Sequence, residues 1–199
     1  MDFTTLPELA GNLVTLEPLS ADHVDELKLA VTEDEIWRAW YTAIPSPGGM
    51  AAEVERRRSL FAARLMLPWA IRDNARGVAV GMTTFMNLAP DDRRLEIGST
   101  WLAPSAQRTG INTEAKLLLL THAFETLGCI AVEFRTHWHN RQSRAAIAAL
   151  GAKQDGVLRN HLIGADGTLR DTVVFSIIQS EWPTVRLGLT ERLARHTRR

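Results

Sequence analysis

A short loop between a strand-like segment and a helical segment constrains this chain more than any other feature. The loop, Gln107 to Thr113, follows the strand-like run Leu95 to Leu102 and precedes the helical run Glu114 to Leu127. A helix that begins here points unpaired backbone N–H groups, and the positive end of its dipole, at whatever lies in front of it. Such a helix start binds phosphate or pyrophosphate, although an ordinary capped helix fits the local sequence equally well.

Individual residues of the loop favour an anion site that is neither a P-loop nor a dinucleotide-binding loop. Gly110 lets the backbone approach a ligand closely, and Arg108 adds a mobile positive charge. Asn112 or Thr113 is expected to cap the helix by accepting a hydrogen bond from a later N–H. The chain contains no Gly-Lys-Ser or Gly-Lys-Thr, and the loop has one glycine past mid-chain. These facts disfavour a nucleotide kinase, a GTPase and a dinucleotide-binding fold.

The pattern Gln-x-x-Gly-x-Asn between a strand and a helix resembles the acetyl-CoA loop of the GNAT acetyltransferase superfamily. Other segments occur in the order found in RimJ/RimL-like ribosomal-protein N-acetyltransferases: Glu96-Ile97-Gly98, Gln107 to Phe124, Asn140 to Arg144, Leu150 to Ala152 and Gly156 to His161. The resemblance covers roughly residues 11–180, and it departs from the family at Asn112, where many members have Gly or Ala. It implies acetyl-CoA as cosubstrate and a primary amine as acceptor.

Composition indicates one compact domain. A chain of 199 residues with 45% hydrophobic content can bury one sizeable core and is short for two. We expect a single domain over residues 1–199, with a core at about 11–180 and a basic tail at 181–199. Lys plus Arg equals Asp plus Glu at 23 each, which predicts no nucleic-acid partner and no membrane partner. A single cysteine, no long apolar segment and no secretory signal predict a cytoplasmic protein.

Hydrophobic periodicity predicts a mixed α/β fold. Strands are expected at Asn12 to Leu19, Trp69 to Asp73, Val78 to Asn87, Leu95 to Leu102 and Ile130 to Trp138, and as a pair around the Gly164 to Gly167 turn. Helices are expected from Ser20 to about Val31, from Met50 to Leu67, from Thr113 to Leu127 and from Ser143 to Leu150, with a short frayed helix beyond Trp182-Pro183.

The GNAT resemblance adds a three-dimensional expectation to these elements. It implies a central, mostly antiparallel twisted sheet of about seven strands, flanked by helices. Its fourth and fifth strands, Leu95 to Leu102 and Ile130 to Trp138, would splay apart and expose backbone groups to the pantetheine arm. The helix start would hold the pyrophosphate and place the thioester at the opening.

The same resemblance assigns the cofactor contacts. They are Leu102, Gln107, Arg108, Thr109, Gly110, Ile111, Asn112, Thr113, Asn140 and Arg144. Arg108, Lys116, Arg141 and Arg144 would supply the local positive charge that CoA needs. Asn140 resembles the residue that bonds the pantetheine arm, and a turn or helix-start role fits it equally well.

Direct attack of a neutral amine on the thioester needs a base and a proton donor but no protein nucleophile. Glu96 is the leading base, with a structural ion pair as its alternative role. Ser143 either caps the helix that follows it or donates a proton to the departing CoA sulfur. Cys129 follows Gly128 at a strand start, where burial is expected, and no Cys-His pattern supports a covalent mechanism.

Aromatic and imidazole side chains are the candidates for contacting the acceptor. Trp37, Trp40 and Tyr41 form either an aromatic wall over the amine or ordinary packing. His137 and His139 share a strand face, but two ligands are too few for a metal, and none is expected. His161 near the carboxyl-terminal strands is a further candidate for the acceptor side.

The sequence leads to an acetyl-CoA-dependent N-acetyltransferase whose leading acceptor is a protein N-terminal α-amine. An α-amine is easier to acetylate than a lysine side chain because much more of it is neutral near pH 7. A small amine, such as an amino acid derivative, an aminoacyl nucleotide or an antibiotic, is the first alternative. A regulatory acyl-CoA-binding module is the second, because the segment Asn140 to Leu150 lacks the tyrosine that many family members use. The resemblance also makes a homodimer plausible.

Overall fold

A single eight-stranded sheet organises the structure, which is a computed structural model that describes residues 2–164 and 166–197. The strands are β1 (Leu9–Ala10), β2 (Val14–Pro18), β3 (Met66–Asp73), β4 (Val78–Ala89), β5 (Arg94–Leu102), β6 (Ala131–His137), β7 (Lys153–Ile163) and β8 (Leu169–Ile178). The helices are α1 (Val24–Thr32), α2 (Met50–Ala62), α3 (Ile111–Thr121), α4 (Arg141–Ala148) and α5 (Trp182–Thr197). The expected mixed α/β fold is confirmed, and the strand beyond the expected seven is the two-residue β1.

The sheet opens between β5 and β6. Neighbouring strands run in the order β1-β2-β3-β4-β5-β6-β8-β7, and every pair is antiparallel except β5 with β6. That parallel pair joins only three residues of each strand, and the last partners are Glu96 and Glu133. Beyond them β5 continues to Leu102 and β6 to His137 without pairing to each other. The two strands expected to splay therefore do so.

The sheet has two chemically different faces at the opening. Phe85, which pairs with Ile97, stacks on His122 in the π-helical turn that follows α3, so this face of the sheet is covered by α3. Successive strand residues point to opposite faces, so Glu96 points away from α3. Its register partner Glu133 shares that second face.

Helix α2 ends earlier than predicted because of its tertiary contacts. The helix expected over Met50 to Leu67 ends at Ala62, and Arg64 takes a left-handed φ of 60°. Met66 and Leu67 instead pair with β4 in the sheet, in keeping with Pro68, which disfavours helical backbone in the residue before it.

The carboxyl-terminal tail is also longer and better packed than a short frayed helix. Trp182 starts α5, stacks on Phe124 at 5.3 Å between ring centroids and donates from Nε1 to Glu125 at 2.9 Å. Val185 and Leu189 are buried on the same helix. The last tail residues, Arg198 and Arg199, lie outside the described residues, as does Ala165 in the turn between β7 and β8.

Candidate active site

The loop between β5 and α3 presents a row of backbone N–H groups. Arg108 and Gly110 both have left-handed backbone, with φ of 62° and 99°. Glu114 makes the first helical bond, from its N–H to the carbonyl of Gly110, at 2.9 Å. The N–H groups of Asn112 and Thr113 have no acceptor among the described residues. Left-handed residues next to a helix start form a concave donor site for an anion such as a pyrophosphate.

Helix α3 begins without the cap that its sequence predicted. Gly110 is the N-cap residue, and neither Asn112 nor Thr113 caps the helix, because both lie inside its first turn. Thr109 shapes the loop instead: its hydroxyl donates to the carbonyl of Ala106 at 2.7 Å and accepts from the N–H of Ile111 at 3.4 Å. The helix therefore starts at Ile111, and the N–H groups of Asn112 and Thr113 stay available for a ligand.

Two side chains fix the loop to the rest of the fold. Gln107 donates from Nε2 to the carbonyl of Leu102 at 3.1 Å and accepts at Oε1 from Gln142 of α4 at 3.0 Å. Glu114 is buried, and its carboxylate accepts from the backbone N–H groups of Asn12 at 3.0 Å, Leu13 at 2.6 Å and Val14 at 2.8 Å. No sequence signal marked Glu114, because its partners lie about a hundred positions earlier in the chain.

A bulge in β5 lies on the edge of the opening, and a buried arginine holds it. Ser99 has a φ of 47°, and the β4–β5 register shifts between Met82 and Thr84. Arg57 of α2 is 2% exposed and donates twice to the carbonyl of Ser99, at 3.2 Å each. Its Nε also donates to Glu53 at 2.7 Å. No sequence signal distinguished Arg57 from Arg56 and Arg58, its neighbours in a run of three arginines on a helix.

Lys116 approaches the same stretch of β5 from α3. Its ammonium group donates to the hydroxyls of Thr100 at 2.9 Å and Thr83 at 3.2 Å. No carboxylate pairs with it among the described residues, and burial lowers its pKa to about 7. Lys116 was expected to supply positive charge for CoA near the loop, but its side chain is inside the protein and its ammonium group is held by two threonines.

Glu96 lies where β5 and β6 part. It is 5% exposed, and its Oε2 accepts from Nδ2 of Asn87 at 2.7 Å and lies 3.5 Å from Nε of Arg135. Burial raises the pKa of this carboxyl, and the hydrogen bond from Asn87 and the charge of Arg135 oppose that rise. Glu96 also lines a cavity of about 220 Å3 together with Glu133 and Arg135. The Glu96 carboxylate therefore lies at the point where the opening between β5 and β6 begins.

Helix α4 brings its candidates to the other side of the opening. Asn140 is the N-cap residue, and its Oδ1 accepts from the N–H of Ser143 at 2.9 Å. The Ser143 hydroxyl has no partner among the described residues, so it is free to act as a donor. Arg144 stacks on the ring of Trp138 at 4.2 Å and donates to the carbonyl of that residue at 3.2 Å.

Most of the predicted acceptor residues meet on the Glu96 face. The ring of Trp40 lies 5.2 Å from that of His137, 5.5 Å from that of His139 and 5.6 Å from that of Tyr41. His161 joins this group through Thr172. The Nδ1 atom of His161 lies 3.1 Å from the Thr172 hydroxyl, and Thr172 pairs with His137 across β6 and β8.

Trp37 is not part of this group. It packs against the hydrophobic core and under Arg38, whose guanidinium lies 5.0 Å from its ring centre. Trp40, by contrast, is 62% exposed. Among the three aromatic residues, Trp40 and Tyr41 therefore fit a wall over the acceptor, and Trp37 fits the packing role.

The comparison with known proteins agrees with this geometry. Residues 14–153 match the acetyltransferase (GNAT) domain family. The chain belongs to the GNAT acetyltransferases. GNAT domains use acetyl-CoA and an amine acceptor, so this protein is an N-acetyltransferase.

Solved structures of similar shape support the assignment. A GCN5-related N-acetyltransferase from Brucella melitensis shares 29% identity at a TM-score of 0.85, over 95% of this chain and 86% of that one. A candidate acetyltransferase from T. thermophilus shares 33% identity at a TM-score of 0.84, over 95% and 98% of the two chains. Mycobacterium smegmatis RimJ, solved with CoA-disulfide, shares the fold at 24% identity and a TM-score of 0.79, over 95% and 96%. Among proteins with curated descriptions, none matches the chain.

A covalent cysteine mechanism finds little support in the GNAT chain. Cys129 is a buried free thiol, and burial raises its pKa to about 11, so it is a poor nucleophile at neutral pH. No group of three or more His, Cys, Asp or Glu side chains able to hold a metal occurs within residues 2–164 and 166–197. The helices of that same part of the chain are all too short or too polar to cross a bilayer.

Proposed function

We propose that this GNAT enzyme acetylates a primary α-amine, with a protein N-terminus as the leading acceptor. The observation that carries the proposal is the opening between β5 and β6. It has an anion-binding helix start beyond the end of β5, and a buried carboxylate, Glu96, where the strands part. CoA would lie with its pyrophosphate on the loop and its pantetheine arm along the unpaired strand edges.

Glu96 and Ser143 divide the proton transfers in the proposed mechanism. The amine nitrogen attacks the thioester carbonyl carbon, forming the C–N bond and a tetrahedral oxyanion. Glu96 takes the proton from that nitrogen, directly or through one water. The oxyanion then collapses to the amide carbonyl as the C–S bond breaks, and the Ser143 hydroxyl passes a proton to the departing sulfur while it takes one from water, so CoA leaves as a thiol. A carboxyl whose pKa is raised by burial is a stronger base than a free one, which suits the first step.

The cofactor contacts follow the donor groups of the loop. We assign the pyrophosphate to the N–H groups of Gly110, Ile111, Asn112 and Thr113, with Arg108 and Thr109 at its edge. Leu102 and Gln107 mark the end of β5, where the arm would leave the strand. Asn140 and Arg144 would contact the arm from the β6 side, with Asn140 using the amide nitrogen that its helix cap leaves unpaired.

The RimJ/RimL-like branch is the finer part of the proposal. It is supported by the order of the sequence motifs and by the shared fold of RimJ from Mycobacterium smegmatis, which was solved with CoA-disulfide. A homodimer, a single domain over residues 1–199 and a cytoplasmic location stay predictions. The exposed side chains of Ile163 and Leu169, which pair across β7 and β8, offer an apolar surface that a second subunit would cover.

Release of CoA from acetyl-CoA tests the proposal. The acceptors would be a panel of N-terminal peptides and small primary amines, and the products would be identified by mass spectrometry. Acetylated peptides are the expected result. Turnover of small amines alone would assign the enzyme to small-molecule acetylation, and tight CoA binding with no product on any acceptor would favour a regulatory module.

A further inference from the structure

Arg170 at the start of β8 is a partly buried cation whose Nε has no hydrogen-bond partner. This nitrogen is enclosed by protein and bonds to no described residue. The nearest acidic neighbour in sequence, Asp171, accepts from Nε of Arg159 at 2.6 Å and from the N–H of Asn160 at 2.8 Å. Burial lowers the pKa of Arg170 and the charge of Glu96 offsets only part of that shift, so the guanidinium still bears a cost for being partly out of water. An anion at the terminal nitrogens of the guanidinium, which are not among the enclosed atoms, would relieve that cost.

The position of Arg170 makes it part of the acceptor side. It lies two residues before Thr172 on β8, so the two side chains share a face of the sheet. Thr172 pairs with His137, which places Arg170 on the face that carries Glu96. Burial raises the pKa of Glu96 and lowers that of His137, and the charge of Arg170 lowers both. The guanidinium therefore lies within Coulombic reach of both side chains.

Glu96 is the acidic side chain whose charge reaches Arg170, and the group around Trp40 consists of imidazole and aromatic rings. His137 and His139 have ring centres 5.5 Å apart, and Trp40 contacts both rings. The carboxylate of Glu96 is already held by Asn87 and by Arg135. A polyamine or an aminoglycoside would bring further positive charge beside the Arg170 guanidinium, which is unfavourable.

We propose that Arg170 binds an anionic group of the acceptor, a carboxylate or a phosphate, that lies a few bonds from the amine to be acetylated. This inference rests on the proposed function and narrows its substrate class. Arginine suits the role because its planar fork of N–H donors matches two oxygens of a carboxylate or phosphate. A nearby guanidinium also lowers the pKa of the amine, which increases its neutral, reactive fraction.

Matched acceptors and variants test the assignment. The acceptor pairs are peptides that begin with Asp or Asn, free amino acids with their amides, and O-phosphoserine with serine amide. The protein variants are Arg170→Met, Arg170→Lys and the control Arg58→Met, an exposed residue of α2 that pairs with Glu55. The peptide pair tests a side-chain carboxylate, the amino acid pair tests an α-carboxylate, and the O-phosphoserine pair tests a phosphate as the anion that Arg170 binds.

The expected result is a selective change in acceptor KM. Arg170→Met should raise KM for the anionic member of a pair by about 10- to 100-fold, from the loss of one charge-assisted pair of hydrogen bonds. KM for acetyl-CoA and for the neutral member should change little, and Arg170→Lys should recover part of the loss. Equal KM for both members in the wild-type enzyme, or an equal rise for both in Arg170→Met, would overturn the inference.

A binding measurement separates this inference from the proposed function. Absence of turnover on every acceptor would defeat the function, whereas calorimetric titration of the same acceptors into the CoA-bound protein still reports on Arg170. Tighter binding of the anionic members, lost in Arg170→Met, would support the role of Arg170. Equal affinity for the anionic and the neutral member of each pair would reject the role of Arg170. Circular dichroism and thermal unfolding verify that each variant is folded.

Discussion

Replacing the buried Lys116 with Met should stabilise the protein, most strongly at neutral and acidic pH. Burial lowers the pKa of its ammonium group from 10.5 to about 7. The unfolded chain keeps the ordinary pKa, so below pH 7 the folded protein holds a desolvated charge. The difference of about 3.5 corresponds to ~5 kcal/mol of lost stability, at 1.36 kcal/mol per pKa unit.

The stability lost through the buried charge of Lys116 should decrease as the pH rises. Between about pH 7 and 10.5 the unfolded chain binds one proton more than the folded protein, so the free energy of unfolding increases by about 1.4 kcal/mol per pH unit. At pH 9 the remaining cost is therefore about 2 kcal/mol. Above about 10.5 both states are neutral, and the cost is gone.

Met retains the apolar stem of Lys116 but loses its two hydrogen bonds. Their loss costs about 2 kcal/mol, at about 1 kcal/mol each. The hydroxyls of Thr83 and Thr100 lie 2.8 Å apart and continue to bond each other. Lys116→Met should therefore be about 3 kcal/mol more stable than wild type at pH 6 and about equal to it at pH 9.

Urea unfolding followed by tryptophan fluorescence at pH 6 and pH 9 measures this difference. The control is Lys28→Met on α1, where the lysine side chain is 41% exposed and pairs with Asp25 at 3.1 Å. The control should differ from wild type by less than about 0.5 kcal/mol at both pH values. A Lys116→Met protein that is destabilised by the same amount at pH 6 and pH 9 would refute the reasoning, because the lysine would then carry no titration cost.

Three further substitutions test the proposed site. Gly110→Trp should raise the Kd for CoA at least about tenfold, because its φ of 99° disfavours any side chain and the ring would fill the backbone approach; calorimetric titration measures this. Glu96→Gln should lower kcat about 100-fold and remove the acid limb of the pH profile, which the raised pKa of Glu96 places above pH 4.5. Ser143→Ala should lower kcat about tenfold with little change in CoA affinity, because a thiolate leaves with only modest help.

Matched controls separate these effects from changes in folding. Gly188→Trp adds the same bulk on α5, where a Cβ atom meets nothing within 4 Å, and should bind CoA normally. Glu55→Gln and Ser59→Ala alter exposed residues of α2 and should leave turnover unchanged. Unchanged CoA affinity in a folded Gly110→Trp protein would remove the loop from the cofactor site. Wild-type turnover in Glu96→Gln or Ser143→Ala would leave that residue a structural role.

Residues close together in the chain were predicted well from sequence. The strand, the loop and the helix from β5 to α3 follow one another, and Gly110 marks the left-handed turn that opens the helix start. The hairpin between β3 and β4 and the strand β6 likewise follow from alternation and turn residues. Helix ends were predicted less well, because tertiary contacts set them. Leu67 pairs with Phe85 of β4, and Trp182 stacks on Phe124.

On the acceptor side, the sequence identified candidate residues, but only the tertiary structure showed which of them lie together. The sequence marked His137, Trp40 and Tyr41 separately, and only the fold brings their rings together. Nothing in the sequence singled out Arg170, because an arginine at a strand start is usually solvated. Its unpaired Nε becomes visible only when the side chains around it are in place.

By itself the sequence determined the mixed α/β fold class and the strand, loop and helix from β5 to α3, since both depend on periodicity and on turn residues that act over a few positions. Only the tertiary structure decided which charges are buried and what they hold. Glu114 clamps Val14 across a hundred residues, Arg57 fixes the bulge at Ser99, and Lys116 lies against two threonines. Burial sets the pKa and the cost of each charge, and burial is a property of the whole packed chain.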